Sequence, residues 1–124
     1  MFDREGMLKV VGESYPVLAQ DENGFSFGAA NRSFRVRFVG EGLAVLYAQV
    51  QELEGVADDQ KASELALKIL DANEKLLAEG PFSFAVNKER EFVHIQWLFD
   101  AGKDGEDAFR DWLPRFVAGV DLWK

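Results

Sequence analysis

An α+β domain, with an antiparallel sheet and elements in the order α-β-β-β-α-β-β-α, is the fold class this sequence predicts. Three observations predict it. One amphipathic helical pattern occupies the centre of the chain, residues 59–79. Runs of alternating apolar and polar residues stand on both sides of it. Short turn signals join those runs into hairpins, and hairpin-linked strands build antiparallel sheet.

Residues 2–12 place Phe2, Met7, Leu8 and Val11 near one helical face, which predicts a short N-terminal helix weakened by Gly6 and Gly12. Tyr15-Pro16 ends it, because proline disfavours the helical region in the residue before it. Asp21-Glu22-Asn23-Gly24 is a tight turn. Phe25 and Phe27 alternate with Ser26 and Gly28 in a first strand. After a turn at residues 30–32, Phe34, Val36 and Phe38 face one way and Arg35 and Arg37 the other, a half-buried second strand. Gly40-Glu41-Gly42 turns the chain into residues 43–50, apolar on both faces and therefore expected to be central and covered on both sides.

A polar linker, 54–59, leads into the central helix, with Asp58 or Asp59 as its cap. Ala62, Leu65, Ala66, Ile69, Leu70, Leu76 and Leu77 recur at three- and four-residue steps. Asn73 interrupts that stripe, either as a hydrogen-bonded helix residue or as a polar position setting register at a helix–helix contact. Gly80-Pro81 stops the helix. Phe82, Phe84 and Val86, then Val93, Ile95, Trp97 and Phe99, make a hairpin around the charged loop 87–91. A flexible acidic stretch at 102–105 precedes Phe109, Trp112, Leu113, Phe116, Val117, Val120 and Trp123 at helical spacing. Pro114 is expected to kink or split that last helix near Leu113.

The 124 residues make one domain, 1–124, without internal repeats. A hydrophobic fraction of 48%, with eleven Phe and three Trp, excludes wholesale disorder. No cysteine is present, so no disulfide framework or thiolate metal site exists. A net charge of −8 repels phosphate backbones and anionic membrane surfaces, so neither nucleic acid nor membrane is an expected partner. It suits solubility, or a basic or polar client segment. The apolar stretch 7–11 is too short for a signal peptide, and no run reaches membrane-spanning length, so a cytoplasmic protein is expected.

The chain announces no catalytic site. His94 is its single histidine, on the polar face of a predicted strand, and no serine sits in a G-x-S-x-G elbow. Asp100, Asp104, Glu106 and Asp107 superficially resemble a calcium loop but lack its spacing. Neither a P-loop nor a dinucleotide fingerprint occurs. No enzyme activity, cofactor or metal is therefore expected. Arg32, Arg35 and Arg37 form the basic cluster, read as a solvated sheet face paired with acids or as a grip for a partner's carboxylates. The first strands carry more aromatic surface than one short helix covers, and such surplus marks an interface.

The stretch 65–73 followed by Gly80-Pro81-Phe82-Ser83-Phe84 resembles the middle of class I type III secretion chaperones of the Tir-chaperone type. Leu70 and Asn73 match the "L-x-x-N" element closing that family's leucine-rich helix. The layout of 17–53 and the Trp-containing last helix are similar too. The resemblance implies a small, non-enzymatic, cytoplasmic homodimer that holds an extended segment of a client effector. It implies dimer contacts at Leu65, Ile69, Leu70 and Asn73. It implies client contacts at Phe25, Phe27, Phe34 and Phe38, with Arg35 and Arg37 beside them. Two other readings remain: an interaction domain of the same fold without a secretion role, and a small-ligand protein using His94 or a buried carboxylate.

Overall fold

The computed structural model describes residues 2–53 and 59–123. Helix α1 (Arg4–Ser14) precedes β1 (Val17–Asp21), β2 (Gly24–Ala29), β3 (Arg32–Gly40) and β4 (Leu43–Glu52). Then come α2 (Asp59–Leu76), β5 (Phe82–Val86), β6 (Phe92–Asp100), α3 (Glu106–Ala118) and a closing 3-10 turn, Gly119–Leu122. The strands form one antiparallel sheet ordered β1-β2-β3-β4-β6-β5. The predicted α+β class is observed, with β1 added ahead of the three expected strands.

The first helix runs further than its glycines implied. Asp3 caps it by accepting from the Gly6 N–H at 2.9 Å. Gly6 also admits the Phe2 ring, since a Cβ there would stand 2.9 Å from Phe2 Cδ1. Phe2 in turn packs on Phe99 and Phe109 at 6.0 and 5.3 Å between ring centroids. Strand β1 escaped the sequence pattern because residues 18–21 are all exposed, which leaves no apolar alternation to read. Gly24 is required where it stands: a Cβ would collide with the Val36 carbonyl on the paired strand.

One face of the sheet is the core. Phe25, Phe27, Phe34, Val36, Ala44, Leu46, Phe84, Ile95, Trp97 and Phe99 are all buried there. Trp97 is its hub. It stacks on Phe109 at 5.3 Å and meets Phe82, Phe99 and Phe116 at 5.5 to 5.6 Å. Such aromatic pairs add specific geometry to the area they bury. Strand β4 is central but not covered on both sides. Ala44, Leu46 and Ala48 are buried, whereas Leu43, Val45 and Tyr47 remain half-exposed on the opposite face. That face is open because the helices lie elsewhere: Phe116 and Phe109 of α3 pack on the core face, and α2 lies along β5.

The capping role expected of Asp58 lies outside the described residues, and Asp59 is the first residue of α2. The helix ends at Leu76, a turn short of the predicted 79. The β5–β6 hairpin forms as expected, its turn tied by Asn87 Oδ1, which accepts from the N–H groups of Glu91 and Phe92. Pro114 does not split α3, which runs unbroken from 106 to 118. Pro114 and Arg110, whose carbonyl the proline leaves unpaired, both lie on the exposed side of the helix, while Leu113, Phe116 and Val117 stay buried. The chain's end is pinned through Gln51. Its Oε1 accepts from the Trp123 indole at 2.9 Å and from Lys68 at 3.4 Å, and the Lys68 ammonium lies over the Trp123 ring.

Three ion pairs, made by two arginines, clip the helices and the first hairpin. Arg110 bonds Glu13 of α1 at 2.7 Å and Glu106 of its own helix at 2.9 Å, and it holds the Glu13 carboxyl below the usual range. Arg35 does the same to Asp21 at 2.9 Å, helped by the Asn23 N–H. Both carboxylates therefore bind protons less readily folded than unfolded. Their stabilisation is full above the ordinary carboxylate range and is lost as pH falls through their lowered values. The urea midpoint is expected to drop from about pH 6 to about pH 3. The drop should be smaller in an Arg35→Gln/Arg110→Gln variant, and only modestly so because the pairs are exposed. An identical drop in that variant would assign acid sensitivity to other carboxylates.

Candidate functional site

Among the described residues, the large hydrophobic side chains left exposed fall in two places. Leu67 and Leu70 stand on α2 with Leu77 just past its end, and Leu18, Val39 and Leu98 stand on strands of the sheet. The apolar stripe of α2 is wider than the strip it buries. Ala72 and Leu76 face the core, and Leu65 and Ile69 are half-covered. Leu77 follows the last residue of α2 and donates its N–H to the Asn73 carbonyl at 2.9 Å, so it continues the line of Leu70, seven residues before it, and the two remain 70% and 65% exposed. Beside them runs an apolar groove of about 230 Å³, lined by Leu53, Ala62, Leu65, Ala66, Ile69 and Val86, with Arg90 at its rim. Exposed Leu side chains continuous with an apolar groove form the kind of surface that a second protein covers.

Three of the four residues expected at the dimer contact thus lie together: Leu65 and Ile69 line the groove, and Leu70 stands open on the same helix. Asn73 does something different. Its Nδ2 donates to the Phe84 carbonyl at 3.1 Å, and its Oδ1 accepts from the Phe84 N–H at 2.6 Å. Strand β5 is an edge of the sheet. Asn73 therefore supplies both hydrogen bonds that a further strand would offer Phe84. Of the two expected roles, the hydrogen-bonded helix residue is the one observed. The opposite edge, β1, carries exposed residues from 18 to 21.

The residues expected at a client contact separate. Phe27 and Phe34 are fully buried and Phe25 nearly so, under α1 and α3: Tyr15 meets Phe27 at 5.4 Å and Phe116 meets Phe34 at 5.7 Å. They are corrected to core residues, because two helices rather than one short one cover the strands. Phe38 is half-exposed, with the Arg4 guanidinium 4.8 Å from its ring centroid. The basic cluster is partly spent inside the chain. Arg32 donates to the Gln49 carbonyl at 2.9 Å, and Arg35 holds Asp21. Arg37 is exposed and makes no ion pair among the described residues.

The remaining candidates fit structural roles. His94 is half-buried on the open sheet face, with Nε2 2.8 Å from Gln96 Oε1 and, among the described residues, no carboxylate bonded to it. Three of the four carboxylates that resembled a calcium loop have structural roles. Asp100 Oδ1 accepts from the Gly102 N–H, and Glu106 and Asp107 open α3, where the helix dipole favours negative charge. Among the described residues no group of three His, Asp or Glu could hold a metal, and no helix is long and apolar enough to cross a membrane.

Solved structures share this arrangement of helices and sheet. A chain of the heterodimeric complex ExoU-SpcU, from the type III secretion system of Pseudomonas aeruginosa, matches with a TM-score of 0.64 at 13% identity. The match covers 100% of this chain and 98% of that one. A chain of the HopA1-SchA chaperone-effector complex matches with a TM-score of 0.61 at 9% identity, over 93% of this chain and 87% of that one. At such identities the likeness establishes a common fold. No family model and no curated protein matches the sequence.

Proposed function

We propose that this chain is a non-enzymatic binding protein, a secretion-chaperone-like homodimer that holds an extended segment of a client effector. The observation that carries this reading is the fold, shared over nearly its whole length with a chain of a type III secretion complex and a chain of a chaperone-effector complex. In one of them a chaperone and an effector are the stated partners. The surfaces support it. The Leu70–Leu77 stripe and the groove lined by Leu65 and Ile69 serve the dimer, while Asn73 aligns α2 against β5. The open β1 edge offers backbone pairing to an extended client, as in strand addition, with Phe38, Arg35 and Arg37 as neighbouring anchors. Such work needs no chemistry at a reacting bond, and its setting is the bacterial cytoplasm.

A tagged chain purified from its native host is expected to run as a dimer, with one partner held through that partner's N-terminal region. Light scattering and limited proteolysis with mass spectrometry read both features. A dimer holding only folded proteins would move the function to an interaction domain without a secretion role. A partner-free monomer would end the proposal.

A further inference from the structure

The open face of the sheet carries a shallow dish of about 390 Å³ at the β4–β6 side, away from α2 and from the β1 edge. Its walls are chemically unlike. Three half-exposed rings, Tyr47, Phe92 and His94, lie together, with centroids 6.2 Å apart for Tyr47–His94 and 6.0 Å for Phe92–His94. The exposed carboxylates of Glu89 and Glu91 stand on the rim beside them, and neither makes an ion pair among the described residues. Arg37 stands on the far rim.

Aromatic faces attract cations, and a carboxylate beside them adds a charge-assisted hydrogen bond. The net charge of −8 draws cations toward the molecule as a whole. Arg37 on β3 pairs with Val45 on β4, which pairs with Leu98 on β6, so it stands two strands across from β6 and level with a residue four positions beyond His94 and six beyond Phe92. Two inter-strand spacings are about 10 Å, and four to six residues along a strand add about 14 to 20 Å, so the backbones are about 17 to 23 Å apart. An extended chain covers that distance in about five to seven residues.

We infer that this dish is a subsite for a basic side chain of the bound segment, an arginine or lysine seated over the rings between Glu89 and Glu91. An acidic residue about five to seven positions away meets Arg37. The inference rests on the reading that the chain holds an extended partner segment, and it names the chemistry of that segment. Opposite charges at the two rims fix the segment's direction, because the reversed strand would set like against like.

The probes are fluorescein-labelled peptides of about twelve residues, built on Ser, Ala and Val, with Arg and Glu placed about six apart. Partner peptides replace Arg with Gln. Fluorescence anisotropy is expected to show the Arg peptide binding at least about tenfold more tightly to the native chain. The gap should close in a Glu89→Gln/Glu91→Gln variant, a pair of exposed loop changes whose fold is checked by circular dichroism. Amide shifts in NMR spectra should map to Tyr47, Phe92 and His94. Equal binding of Arg and Gln peptides overturns the basic subsite but leaves segment-holding in place. No peptide binding at all overturns the subsite, and the host-purified partner then decides separately whether segment-holding survives. Loss of dimer mass in the double variant overturns the inference in favour of a second copy on this face.

Discussion

Leu70→Asp is expected to yield a folded monomer in place of the proposed dimer. Leu70 contributes little to the protomer, since 65% of it meets solvent and the core beneath α2 is built from Ala72 and Leu76. Its replacement should therefore leave the far-ultraviolet spectrum and the urea midpoint close to native. In the proposed dimer the same position is covered, together with Leu77 and the groove lined by Leu65 and Ile69. A carboxylate there is buried without a cation to receive it, a situation that proteins avoid at several kcal/mol. A central interface side chain is itself worth about 2 kcal/mol or more, roughly thirtyfold in Kd. Light scattering at micromolar concentration should report the protomer mass of 13.9 kDa instead of twice that value. An unchanged dimer mass would move the interface off α2.

Asn73→Ala should act on the fold itself. It strips the Phe84 N–H and C=O of both partners at the part-buried edge of β5. Leaving such groups unsatisfied costs about 1–3 kcal/mol, read as a lower urea midpoint. The exposed edge should also show concentration-dependent association, because unpaired strand groups template pairing with other chains. Asn73→Asp separates the two bonds: it keeps the acceptor for the Phe84 N–H and loses the donor to the carbonyl. Stability falling as far in Asp as in Ala would show that the 2.6 Å bond contributes little.

Much of this architecture is written in residue periodicity. Alternation on both sides of Phe34 and Trp97 placed their strands and their buried faces, and the three- and four-residue steps of α2 placed its stripe. What escaped has physical causes. β1 presents residues 18–21 to solvent, so no apolar alternation marks it. Residues 43–50 are apolar on both faces, yet only one face is covered, because sequence reports hydrophobicity and not which helix arrives. The rings of Phe25, Phe27 and Phe34 read as surplus surface because α1 looked broken at Gly6. In the structure Gly6 is where Phe2 closes on the helix, and Tyr15 beyond it lies on Phe27. Asn73 stood out as a break in a stripe, but its partner, the backbone of Phe84, has no side-chain signature. The dish on the open face joins β3, β4, β6 and the 87–91 loop, and no local spacing announces it.

The strand order also governs how the molecule assembles itself. The first four strands join through tight turns, each closing a short loop. The join of β4 to β6 is different: Glu52 pairs with Phe92 only after all of α2 and β5 have been threaded between them. Loop closure of that length costs about 2 kcal/mol more chain entropy than a tight turn. That one seam thus holds the contact with the largest loop-closure cost in the sheet, and non-local pairing of this kind slows folding. A chain with the seam unzipped would separate into a four-stranded meander and a helix-hairpin unit, each with a bare strand edge. Hydrogen exchange at the paired amides of β4 and β6, compared with those of β2 and β3, reads how often it opens.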